Sequence, residues 1–256
     1  MGVVNFIRHS GLFNPDNLKD EVHIIGLGAT GSGIVSMLSR LGVPEMHCWD
    51  HDIVSDHNPP NSLVFTGNDI GRLKVDAVRD HLSNEFGTKI IVHPEKFESR
   101  SNQKLRGIVF LCVDDMDVRK DIWKKSIRYN PFIKLMVETR VGLELGFVHT
   151  VYPMRKTDVE GFEGTLYSSA QAEEPVCTAK IVITTTSIIA GIAAHKLVKY
   201  VTGEEILSAV SIGSPQVVPE GDESQIHSNA TMFCLRPIIV TAATWQEEDS
   251  EIIVPS

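Results

Sequence analysis

Residues 22–33 read VHIIGLGATGSG, an apolar strand that runs straight into a glycine turn. The strand ends at Gly26, and Gly26, Gly28 and Gly31 fall in G-x-G-x-x-G spacing. A helix opened by such a turn presents its free backbone N–H groups to phosphate. Asp50 follows in WDHD at 49–52, at the end of the next expected strand, where a carboxylate accepts hydrogen bonds from ribose hydroxyls. The glycine loop alone would mark no more than a tight turn. Strand, loop, helix and ribose acid in register mark a nucleotide site. Lys74, in DIGRLKVD at 69–76, narrows the chemistry, because a dehydrogenase needs no lysine there and chemistry at a phosphate does.

Outward from this core, apolar runs alternate with helical patterns. Strands are expected at 22–25, 46–49, 90–92 and 108–113, and helices at 31–41, 74–86 and 117–129. Strands separated by helices predict an α/β, Rossmann-like fold, a mostly parallel sheet with helices on both faces. From residue 134 the run KLMVETRVGLELGFVHTVYP predicts a hairpin that extends the sheet with an antiparallel edge. Residues 153–176 are polar and glycine-containing and read as a long functional loop. Residues 178–201 read as a long helix stopped by Gly203. Short apolar runs at 232–235 and 238–242 predict a small C-terminal β extension, and QEEDSE at 246–251 a solvated tail. The expected division is a nucleotide-binding domain over 1–203, and the β extension with its acidic tail over 204–256.

Composition excludes several function classes. A formal net charge of −9 argues against a broad basic face for nucleic acid. The four cysteines, Cys48, Cys112, Cys177 and Cys234, form no Cys-x-x-Cys pair, so neither a zinc ribbon nor a disulfide framework is expected. The N-terminus shows no secretory pattern, and the most apolar stretch, 181–194, is shorter than the roughly 20 residues that cross a bilayer. A cytoplasmic protein without membrane contact is expected. His195 is expected to pack on an apolar helix face, while His51 and His57 border the nucleotide site.

Several ordered motifs together resemble the ThiF/MoeB group of the ubiquitin-activating-enzyme superfamily. They are GLGATG at 26–31, DHDIVSDHN at 50–58, DIGRLK at 69–74, CVDDMDVR at 112–119 and CTAKIVITTTSIIAGIAAHKLVKYVTG at 177–203. The resemblance implies ATP- and Mg2+-dependent adenylation of the C-terminal glycine of a small ubiquitin-like or sulfur-carrier protein by a homodimer. It implies that Gly26, Gly28, Gly31, Asp50, Asp52, Asn58 and Asn61 belong to the nucleotide site. Lys74 would neutralise charge on the α-phosphate, and Asp114 would hold Mg2+. Arg8 would reach the phosphates of the other subunit, and Cys177 matches a cysteine that in some members forms a covalent link. Two departures stand out. Asn61 occupies the place of the family's arginine, with Arg72 the nearest cation that could substitute, and the family's zinc cysteines are absent.

Two other readings stay open. One is an NAD-binding oxidoreductase, against which Lys74 and Asp114 argue. The other is a non-catalytic adaptor that keeps the fold, for which Asn61 is the main support.

Overall fold

The computed structural model describes residues 4–6, 8, 10–98, 105–142, 145–167, 182–213, 231–235 and 238–244. Its centre is a parallel sheet of β1 (Val22–Ile25), β2 (Glu45–Trp49), β3 (Lys89–His93), β4 (Gly107–Leu111) and β5 (Ile133–Gly142). β6 (Leu145–Val151), β7 (Ala209–Gly213), β9 (Ile238–Ala243) and β8 (Thr231–Leu235) continue it antiparallel. The spatial order is β3-β2-β1-β4-β5-β6-β7-β9-β8. β1 and β4 are buried at every position, as a strand covered on both faces must be.

Side chains alternate between two cores. Ile24, Cys48, Phe110 and Val137 face one, under α1 (Ala29–Arg40), α2 (Lys74–Phe86) and α5 (Ile183–Thr202). Ile25, Trp49, Val109 and Met136 face the other, under α3 (Met116–Ile122), the π-turn Trp123–Ile127 and α4 (Lys156–Gly164). α1 and α5 approach closely because small residues meet: a Cβ on Gly33 would lie 3.1 Å from that of Ala190. Left-handed glycines end two helices, Gly87 (φ 74°) after α2 and Gly203 (φ 71°) after α5.

The expected sheet, its parallel order and the helices on both faces are all present. Other details differ. Residues 153–167 are not simply a loop, and 168–176 lie outside the described residues. Lys156–Gly164 is helical, with Val159 and Phe162 buried three residues apart and the buried Asp158 carboxylate accepting from Tyr152 N at 3.0 Å. Gly161 and Gly164 mask that pattern in the sequence. The hairpin β5–β6 is not itself the sheet edge, because β7 pairs with β6. The helix expected over 117–129 is shorter, its second half winding as the π-turn. His195 is exposed and is no packing residue. Residues 178–181 and the tail at 246–251 lie outside the described residues. No helix among the described residues is long and apolar enough to cross a membrane.

Candidate functional site

A cleft of about 790 Å³ opens at the carboxyl ends of β1, β2, β4 and β5. It lies where the chain reverses its direction of crossover, β1 to β2 on one side and β3 to β4 on the other. That switch point is where open α/β sheets take ligands. Gly26, Gly28, Asp50, Asp52, Asn58, Asn61, Lys74 and Asp114 all line this one cleft, with His51 and His57 beside them.

The glycine turn is built by close contact. Gly26 has φ 93°, and a Cβ there would lie 2.8 Å from the Cys112 carbonyl oxygen. A Cβ on Gly31 would fall 1.9 Å from the Gly26 carbonyl oxygen, so Gly31 supports the turn from beneath and is not part of the cleft wall. At Gly28 an added Cβ meets no protein atom within 4 Å. No side chain caps the N-terminus of α1, which leaves its first N–H groups to the cleft.

Asp50, 8% exposed, ends β2. It accepts Leu27 N at 2.6 Å on Oδ2 and Asp52 N at 2.8 Å on Oδ1. Each oxygen keeps a lone pair for a ligand hydroxyl. Lys74 is delivered by a short ladder between the loop after β2 and the start of α2. Lys74 N donates to Asp52 O at 3.0 Å, Val54 N to Arg72 O at 2.8 Å, and Gly71 N to Val54 O at 2.8 Å. The Lys74 ammonium then pairs with Asp52 Oδ2 at 2.8 Å, and this bond holds the Asp52 carboxyl below its ordinary range. Asn58 turns its amide oxygen to Ser55 N at 2.9 Å. Asn61 Nδ2 reaches the His57 carbonyl at 3.5 Å.

Two adjacent aspartates divide their work. Asp115 caps α3, accepting from Asp117 N and Val118 N at 2.8 Å each. Asp114 is thereby left exposed on the cleft wall, with a carboxylate suited to a hard cation. Asp50, His51 and Asp52 also bring one ligand atom each within 4.8 Å of one another.

The remaining sequence candidates lie elsewhere. Arg72 is not in the cleft wall: it donates to Asp69 Oδ1 at 2.8 Å and pairs with Asp80. Arg8 is exposed in the N-terminal segment and does not line the cleft. Cys177 lies outside the described residues.

The cleft also holds residues given no role from sequence, notably Trp49, Phe97, Arg119, Thr139, Arg140 and Tyr167. Trp49 stacks on His93 with ring centroids 3.4 Å apart, and Phe97 meets it edge-on, which makes an apolar wall beside Asp50. Arg119 and Arg140 share the fully buried Glu138, each Nε lying 2.7 Å from Oε1, while His149 Nδ1 lies 2.7 Å from Oε2. Burial raises the Glu138 pKa, but the His149 bond and the two guanidinium charges outweigh it and hold the carboxyl below its ordinary range. A run such as ETR at the carboxyl end of a parallel strand was the available signal for these residues.

The sequence profile of the ThiF family matches residues 13–220. The chain belongs to the ThiF family. Ubiquitin-like modifier-activating enzyme 5 of Dictyostelium discoideum is 26% identical to this ThiF-family chain over 224 residues, 78% of the chain and 55% of that protein. Its Caenorhabditis elegans counterpart is 24% identical over 218 residues, 76% of the chain and 51% of that protein. The chain thus spans about half the length of the curated relatives it matches. Among solved structures, E. coli MccB with MccA-N7isoASN superposes with a TM-score of 0.66 at 15% identity, covering 79% of this chain and 64% of MccB. E. coli MccB with ATP gives 0.62 at 16% identity, covering 79% and 63%. At that identity these two structures carry the ThiF fold only.

Proposed function

We propose that this ThiF-family protein is an adenylyltransferase: it uses ATP to adenylate the C-terminal glycine carboxylate of a small ubiquitin-like or sulfur-carrier protein, as a cytoplasmic homodimer. One observation carries the reading. The ammonium of Lys74, the ribose-type acid Asp50, the uncapped N-terminus of α1 and the exposed Asp114 converge on one cleft at the switch point. In this reading residues 1–203 form the adenylation unit and 204–256 its β extension.

The chemistry follows from the residues. An oxygen of the acceptor carboxylate attacks the α-phosphorus of ATP, the bond to the β-phosphate breaks, and pyrophosphate leaves with that electron pair. The product is an acyl adenylate. Asp50 would hold the ribose, and the α1 N–H groups and Asn58 the phosphates. Lys74, one-tenth exposed and held by Asp52, would offset the charge that grows on the α-phosphate. Such a group is typically worth about 10²–10³ in rate. Asp114, exposed because Asp115 does the capping, fits Mg2+, which would supply further charge neutralisation on the phosphates. Arg8 of a second copy is proposed to reach the same phosphates, and the Cys177 thiolate to attack the acyl adenylate afterwards, forming a thioester as AMP leaves.

Calorimetry with MgATP and with NAD tests the site. The wild type should bind ATP in preference to NAD, and Lys74→Ala should weaken ATP binding about tenfold or more. Preference for NAD would turn the reading to an oxidoreductase. ATP binding unaffected by Lys74→Ala would favour the adaptor, since Asn61 already leaves the phosphates short of a cation.

A further inference from the structure

The family motif calls for an arginine three residues after Asn58, and Asn61 stands there. Arg72, the nearest expected substitute, is not in place, because it is locked between Asp69 and Asp80. The cleft nevertheless holds two further guanidinium groups. Arg119 and Arg140 converge on a single carboxylate, Glu138 Oε1, at 2.7 Å each.

The donors can be counted. Arg119 is 3% exposed and turns Nη2 to the carbonyls of Val113 and Thr139. Of the groups that weigh most on Arg119, namely Glu138, Arg140, Cys112 and Tyr167, only Glu138 is an anion at neutral pH. Burial pushes the Cys112 thiol up to about 12, so it supplies no negative charge. Arg140 gives Nε to Glu138, Nη1 to Thr165 O at 2.8 Å and Nη2 to Thr165 Oγ1 at 2.9 Å. A guanidinium has five N–H bonds, so each terminal nitrogen of Arg140 retains one. Two guanidinium groups thus share one buried carboxylate, and Arg140, which lines the cleft, keeps N–H groups beyond its three bonds among the described residues.

We propose that Arg140 is an oxyanion-binding residue of this site, and that a carboxylate or phosphate oxygen brought by a reactant completes the Arg119–Glu138–Arg140 charge set. Clamped by Glu138 and Thr165, the guanidinium is preorganised, and that is what makes such a donor effective. β5 lies two strands from β1, about 10 Å at a strand spacing of about 4.8 Å, so Arg140 and the glycine turn line the cleft from separate strands.

The inference rests on the adenylation reading, and the experiment separates the two. Binding of MgATP and of AMP is measured by calorimetry, and binding of glycylglycine to the ATP-loaded protein by ligand-observed NMR. These are compared for the wild type, Arg140→Gln and Arg140→Lys, with thermal melting as the check on folding. Arg140→Gln should weaken at least one ligand about tenfold. Loss of glycylglycine with ATP unchanged identifies a carboxylate, and loss of ATP with AMP unchanged identifies the outer phosphates. Arg140→Lys, which keeps the charge but not the three bonds, should recover part of the loss. A wild type that binds ATP, beside an Arg140→Gln that binds all three ligands equally well, overturns this inference alone. If Arg140→Gln does not fold, an Arg140→Lys variant that folds and binds all three ligands as tightly as the wild type overturns it. A wild type that binds neither nucleotide overturns the adenylation reading and this inference with it.

Discussion

Gly28 and Gly31 sit in one turn, yet different constraints act on them. A Cβ at Gly31 would lie 1.9 Å from a backbone oxygen, and at Gly28 it would meet nothing but the open cleft. Gly31→Ala should therefore destabilise the fold by about 3 kcal/mol, the upper range for overpacking against rigid backbone. Gly28→Val should cost no more than about 1 kcal/mol, as an unfavourable N-cap residue, while ATP binding is lost. Denaturant melts together with calorimetry separate the two cases. Full ATP affinity in Gly28→Val would reduce the loop to a turn. The sequence marks both glycines as one motif and cannot say which serves the fold and which the ligand. Asp114 and Asp115 pose the same problem. Only the cap hydrogen bonds of Asp115 show which aspartate remains free.

At the scale of elements, the start of the sheet carries a row of imidazoles across β1, β2 and β3. His23 stacks on His47 with centroids 4.7 Å apart, and His47 on His93 at 5.5 Å. Burial, then the neighbouring His47 and His93 and the charge of Arg106, lowers the His23 pKa to about 3. An unfolded histidine titrates near 6.5, so between about 6.5 and 3 the unfolded chain binds the extra proton and the folded chain does not. Folding stability is thus complete above pH 6.5 and falls on acidification, by about 2 kcal/mol at pH 5 from this group. His23→Leu should flatten the stability profile between pH 7 and 5 in urea titrations. An unchanged slope would mean that the ring protonates in place. The elements themselves were largely legible. Val22–Ile25 and Lys74–Phe86 stand where apolar spacing puts them, because strands and helices near the glycine turn have clean periods. α4 was not legible, since its apolar contacts are few and its two glycines imitate a loop.

For the whole molecule, the motif order in the sequence gathers eight expected residues into one cleft. What it could not supply was the far wall. Arg119 and Arg140 are 21 residues apart and meet only because β5 lies beside β4. Their shared carboxylate is a long-range fact that no local pattern encodes. The same limit explains Arg72: its nearness to Lys74 in sequence suggested a phosphate contact, whereas Asp69 and Asp80 hold it as a brace for the loop that delivers the lysine. The central claim is that this cleft transfers AMP to a carboxylate. Its most direct test is ATP–pyrophosphate exchange with Mg2+ and a panel of small ubiquitin-fold proteins that end in glycine. The account predicts exchange with at least one of them, lost when its terminal glycine is removed and reduced about 10²-fold or more in Lys74→Ala. ATP bound with ordinary affinity, but without exchange for any member of the panel, would contradict it.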